Sequence, residues 1–148
     1  MKKSSISAVL LLVAAFIMQS FDRAPGGDLY RIYLNDKMVL EQFVTLPQQK
    51  HQLTLTELNE KDRMVVYYSH CGSPGTARSV QVKDSKGAII KQWKYMDTKE
   101  IGLQVAVKEL LPILEKNGTV TIHYASAEVS SGKLLAALNP GKTVVAKR

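Results

Sequence analysis

Read from end to end, the sequence predicts an antiparallel β-sandwich of about eight or nine short strands with one short helix near residues 109–116. Three observations carry that expectation. Apolar residues alternate with period two over stretches of roughly five to eight residues. Gly, Pro, Asn and Asp punctuate those stretches at short intervals. One segment alone switches to helical spacing, and no strand–helix–strand repeat appears, which argues against a parallel nucleotide-binding sheet. The composition agrees. With 148 residues, 45% of them hydrophobic and 22% charged, the chain has the make-up of one ordinary globular domain. It is not disordered, collagen-like or dense in disulfides.

Tyr30, Ile32 and Leu34 alternate with Leu29, Arg31 and Tyr33, then Asn35-Asp36-Lys37 turns the chain and Met38 to Val44 returns as the second arm of a hairpin. Pro47 and the polar residues after it make a loop, and His51 to Leu58 reads as a third strand. Met64 to Tyr68 is apolar on both parities, the pattern of a central strand buried on both faces. A loop from Cys71 to Thr76 comes next. Arg78 to Lys83 and Ala88 to Tyr95 are two strands joined by Asp84-Ser85-Lys86-Gly87, a turn in which Gly87 takes the left-handed conformation. Leu103, Val105 and Val107 alternate as a strand. Leu110, Leu111, Ile113 and Leu114 then have helical spacing, and the helix is expected over Glu109–Lys116. It should start close to Pro112, which has no N–H to donate, and stop at Asn117-Gly118. Val120, Ile122 and Tyr124 mark the next strand, and Lys133 to Leu138 the last.

The N-terminus reads as an address. Lys2 and Lys3 precede an apolar run from Ala8 to Met18. That length matches a secretory core of roughly 7–15 residues and falls short of the about 20 needed to span a bilayer. Residues 1–20 are therefore expected to be a signal peptide cleaved near Ser20, 21–27 a flexible leader, 28–140 the sandwich domain, and 141–148 a basic tail. The only cysteine, Cys71, does not follow the apolar run, so it offers no lipid anchor there, and an internal disulfide is impossible. The expected location is periplasmic or extracellular, with no transmembrane span left after cleavage. Cleavage also removes Lys2 and Lys3, two of the charges behind the net +7. The rest are scattered, with no basic helix or run, so a nucleic-acid partner is not expected.

Few residues carry a chemical signal. His70-Cys71 opens a Gly/Pro-rich loop at a strand end. A thiol beside an imidazole suits a nucleophile or a soft metal ligand, with His123 as a further candidate base. Adjacent strand residues point to opposite faces, however, so His70 and Cys71 converge only if the chain turns there. The bland alternative makes Cys71 a small, semi-buried hydrophobe and His123 a solvent-facing polar residue. Lys91, Trp93 and Tyr95 share one face. They form either a platform for a sugar or peptide or the edge of the core. His51, His70, His123, Cys71, Met64 and Met96 lack the clustered spacing of a copper or zinc site, so neither metal nor cofactor is expected. Gly141-Lys142-Thr143 lacks the upstream glycine of a phosphate loop, and Asn117-Gly118-Thr119 fits a helix stop as well as a glycosylation acceptor.

In layout the chain resembles small exported β-sandwich modules of bacterial envelopes, a resemblance of architecture alone. The expectation is a non-catalytic exported module that binds an envelope protein or glycan. The alternative is a thiol- or metal-dependent protein centred on Cys71 with His70 or His123.

Overall fold

A computed structural model describes residues 27–44, 49–98 and 101–141. The expected signal peptide, the leader up to residue 26 and the tail from residue 142 lie outside the described residues. The strands are β1 (Leu29–Leu34), β2 (Lys37–Phe43), β3 (Gln52–Leu55), β4 (Arg63–Ser69), β5 (Ser79–Lys83), β6 (Ile89–Lys94), β7 (Gly102–Ala106), β8 (Val120–Ala125) and β9 (Lys133–Pro140), with one helix, α1 (Val107–Asn117), between β7 and β8. They form a four-stranded sheet in the order β2-β1-β4-β7 and a five-stranded sheet in the order β3-β9-β8-β5-β6. The predicted two-layer, mainly β fold is the observed one.

Alternation builds the core. Tyr30 and Ile32 of β1, Met64, Val66 and Tyr68 of β4, and Leu103 and Val105 of β7 line the inner face of the first sheet. Val80, Val82, Ile122, Tyr124, Leu135 and Leu138 answer from the second. Tyr30 also donates a hydrogen bond across the layers, from its hydroxyl to the carbonyl of Leu135 at 2.7 Å.

Four expectations need correction. The pairing is not wholly antiparallel, because β3 runs parallel to β9, with Gln52 opposite Ala137. β3 is also shorter than the predicted His51–Leu58. β4 is interior in its sheet but buried on one face only, Val65 and Tyr67 being half-exposed. It is β5 that is buried on both faces, Ser79 and Gln81 included. The helix begins at Val107, so Pro112 lies well inside it. The bond it forfeits is to the carbonyl of Lys108, a residue in the first turn that is itself exposed, where water can take the donor's place. The helix ends as predicted: Gly118 has φ +68 and donates its N–H to the Leu114 carbonyl.

Two tight turns fix the chain at the two ends of β4. Asn35 and Asp36 both have positive φ and close the β1–β2 hairpin. The Asn35 backbone N–H donates to the Arg63 carbonyl at 2.9 Å, and its side-chain oxygen accepts the Arg63 N–H at 3.0 Å. This pins the turn to the start of β4. A second two-residue turn, Cys71-Gly72, lies just beyond the end of β4. There the His70 N–H donates to the Ser73 carbonyl at 2.7 Å and the Ser73 N–H to the His70 carbonyl at 3.0 Å.

Candidate functional site

The richest cluster of polar side chains sits at the end of the sandwich where β4 runs into that second turn. His70 continues the inner row of Met64, Val66 and Tyr68, so its ring turns inward between the sheets. Its Nδ1 lies 3.3 Å from Asp28 Oδ2, which also accepts the Tyr68 hydroxyl at 2.8 Å. Asp28 is brought there by register: Leu29 pairs with Ser69, so the preceding residue faces His70. On the other side, His70 Nε2 lies 3.1 Å from the Tyr124 hydroxyl and 3.2 Å from Ser126 Oγ, both from the second sheet and its exit. In the tautomer whose Nδ1–H points at Asp28, Nε2 is left as the acceptor facing the Tyr124 and Ser126 hydroxyls.

Aromatic packing frames the cluster. The Tyr68 ring stacks on Tyr124 with centroids 4.0 Å apart and on Tyr30 at 6.3 Å, each within 5° of parallel. Burial pushes the Tyr30 phenol up to about 12. The Tyr68 phenol is also raised, by burial first and then by its bond to Asp28, and that of Tyr124 by burial. All three stay neutral hydrogen-bonding groups.

The loop carrying Gly75 and Thr76 closes over the cluster. The Thr76 N–H and hydroxyl donate to the Glu128 carboxylate at distances of 2.9–3.1 Å. The Ser126 hydroxyl is the first cause, and Thr76 a further one, holding the Glu128 carboxyl down to about 2. Gly75 is required by closeness: a Cβ there would lie 2.5 Å from the Tyr124 hydroxyl and 2.8 Å from both His70 Nε2 and Glu128 Oε2.

The remaining sequence candidates are dispersed. Cys71 is exposed at the tip of its turn with φ +50, not semi-buried, because it is a central residue of a two-residue hairpin loop. His123 neighbours Tyr124 on β8 and so points to the opposite, outer face. It is half-buried there and bonds Thr121 Oγ1 at 3.0 Å. Burial first, then the Lys83 charge, pushes its imidazole down to about 4. Trp93 and Tyr95 pack against the core, and the Tyr95 hydroxyl donates to the Gln104 carbonyl. Lys91 pairs with Glu109 and lies 5.7 Å above the Trp93 ring. Among the described residues, no group of three or more His, Cys, Asp or Glu is placed to hold a metal ion.

A second region lies on the outer face of the four-stranded sheet, where Val65 and Tyr67 stay half-exposed. Tyr67 stands beside Gly102 on β7, and a Cβ at 102 would meet the Tyr67 ring at 3.2 Å and Val65 at 3.1 Å. The ring therefore lies down over the glycine. Tyr33 meets it edge-on, with centroids 5.4 Å apart at 75°. Around them is a shallow cleft of about 350 Å³ lined by Asp36, Arg63, Val65, Tyr67, Ile101, Gly102 and Gln104.

No protein family, curated protein or solved structure matches the chain. Function rests on the geometry. Asp28, His70 and Ser126 stand in the order carboxylate, imidazole, hydroxyl, the chain of contacts that activates a serine nucleophile. Here the serine is only 5% exposed. The Tyr124 hydroxyl competes for the same imidazole nitrogen, and the Ser126 hydroxyl is held toward Glu128.

Sequence reasoning found His70 but missed Asp28, Tyr124, Ser126 and Glu128. Tyr124, Ser126 and Glu128 are two apart in one segment, but that segment and Asp28 each lie tens of residues from His70, and no local spacing joins them to it. The one available signal was parity, which puts Tyr68 and His70 on the core side of a central strand.

Proposed function

We propose that this chain is an exported β-sandwich module that acts by binding a partner or ligand in the cell envelope and performs no chemistry of its own. The closure of the His70 cluster supports this reading most. Its hydroxyls and ring nitrogens are engaged with one another, and the Gly75 loop sits where a substrate would have to enter. A buried polar network satisfied in this way specifies a unique packing of the two sheets. The N-terminal Lys2-Lys3 and apolar run supply the export part of the reading, and among the described residues no helix is long and apolar enough to cross a membrane.

A second reading is favoured by one observation: the relay from Asp28 through His70 to Ser126 would make the protein a serine hydrolase if the Gly75 loop opened. The thiol-dependent alternative would instead use exposed Cys71. One experiment separates them. The native protein is treated with a fluorophosphonate probe, and the labelled residue is identified by peptide mass. In parallel, the source cells are fractionated and the N-terminus of the recovered chain is sequenced. The expected result is an envelope-fraction chain beginning near residue 21, with Ser126 unlabelled. Native labelling of Ser126, or recovery of the chain in the cytoplasm with Met1 intact, overturns the proposal. Cys71→Ser is expected to leave ligand binding unchanged, and a loss of binding would point to the thiol.

A further inference from the structure

We infer that the cleft over Gly102, on the outer face of the four-stranded sheet, is a binding site for a neutral saccharide. This deepens the proposed function and rests on it for the idea that the module works by binding. Three features of the cleft point to that ligand class.

The first is the platform. With no side chain at 102, the Tyr67 ring lies over the sheet, with Tyr33 packed against it at 75°. An aromatic face in water is apolar but carries a negative quadrupole, so it attracts the weakly positive C–H groups of one face of a pyranose ring.

The second is the ring of polar groups. The Asp36 carboxylate only accepts hydrogen bonds, the Arg63 guanidinium only donates them, and the Gln104 amide does both. Sugar hydroxyls are donors and acceptors at once and can satisfy all three. The exposed lining is more polar than apolar, which suits a ligand covered in hydroxyls, and about 350 Å³ is at the small end of small-molecule sites, the size of a mono- or disaccharide.

The third is charge. Arg63 Nη2 is already paired with Asp36, at 2.7 and 3.0 Å to its two carboxylate oxygens. The cleft therefore offers no net charge to a phosphate, a sulfate or an acidic sugar. Ile101, half-exposed at the rim, adds apolar area.

The position is built and not accidental. Asn35 clamps the β1–β2 turn to the start of β4, and that clamp is what carries Asp36 to Arg63. Register across β4–β7 places Gly102 opposite Tyr67 and Gln104 opposite Val65.

The test uses the full chain on an array of neutral and anionic oligosaccharides, followed by NMR titration of any ligand retained. Retention of at least one neutral saccharide is expected, with amide shifts confined to β4, β7 and the Asp36 turn. Tyr67→Ala should weaken that binding at least tenfold, and Arg63→Ala several-fold. Trp93→Phe, on the five-stranded sheet, should leave it unchanged. Because Tyr67→Ala can perturb the sheet, Gly102→Ala is the second variant. It should reduce binding by crowding the ring while the amide spectrum stays folded. A blank array, binding of anionic sugars only, or equal binding by Tyr67→Ala overturns the inference. These failures differ from failure of the proposed function, which is read from Ser126 labelling and cell fractionation. A blank array with Ser126 unlabelled removes the saccharide and leaves the binding module standing.

Discussion

The two faces of β4 use tyrosine in opposite ways. On the inner face, Tyr68 is stacked between Tyr30 and Tyr124, and the hydroxyls of all three find partners. On the outer face, one residue earlier, Tyr67 lies over a glycine with a cleft above it. The residue type is the same and the strand is the same. Only parity differs, and parity decides whether an aromatic ring joins the sheets or faces the cleft outside. The inner ring belongs to the stability of the fold, and the outer ring to what the fold presents.

That contrast can be broken by mutation. The largest effect is expected at Tyr124, which is fully buried. Tyr124→Ala removes an aromatic side chain from between the sheets and strands His70, and it should cost about 4 kcal/mol of unfolding free energy in urea titrations. Tyr67→Ala should cost roughly 1 kcal/mol, the range of an ordinary half-exposed substitution. Equal losses at the two sites would erase the distinction. Gly75→Ala comes next. The added methyl would overlap the Tyr124 hydroxyl, which its stack on Tyr68 prevents from retreating, and the expected cost is about 2 kcal/mol.

Acid sharpens the comparison further, in two windows that overlap only near pH 4 to 4.5. The His123 ring resists protonation down to about 4 in the folded protein, against 6.5 ordinarily. Between those values the unfolded chain holds the extra proton, so stability falls as pH drops from about 6.5 to 4. Glu128 keeps its charge down to about 2, against 4.5 ordinarily. Its contribution is complete above pH 4.5 and is lost as pH falls from there toward 2. Urea midpoints measured across the range should show both slopes. His123→Gln should flatten the upper window alone and Glu128→Gln the lower alone. A single variant flattening both would mean that His123 on β8 and the Thr76–Glu128 contact beyond its end are coupled.

The same physics decides how much of the fold and the two sites was legible in the sequence. Alternation in Tyr30–Leu34, Met64–Tyr68 and Val120–Tyr124 is a local signal, and it delivered the layers. The Asp84–Gly87 turn was equally local: Asp84 Oδ1 accepts the N–H groups of Lys86 and Ala88, and Gly87 has φ +82. The parallel pairing of β3 with β9 joins segments far apart along the chain, and nothing in either segment encodes it. The helix start was missed because Ala106 offers no capping side chain to mark it. Both sites depend on register. Asp28 meets His70, and Gly102 meets Tyr67, only once β1, β4 and β7 are aligned.

The smallest expected effect concerns the chain's one cysteine. Cys71 sits at φ +50 in a turn whose other central residue, Gly72, has φ +93. A left-handed conformation costs a residue with a Cβ about 1–2 kcal/mol. Glycine removes that strain but gives back about 0.5–1 kcal/mol through the greater freedom of its unfolded chain. On backbone strain alone, Cys71→Gly would gain roughly 0.5 kcal/mol, and Cys71→Asn a similar amount since asparagine tolerates this conformation, and the interaction made by Cys71 itself is subtracted from that gain. If both variants gain stability, the turn does not require the cysteine, and its thiol stays at an exposed tip against the preference of the backbone. If both lose stability, the side chain of Cys71 contributes a contact worth more than the strain, and the hairpin tip belongs with the closed inner cluster and not with the open face.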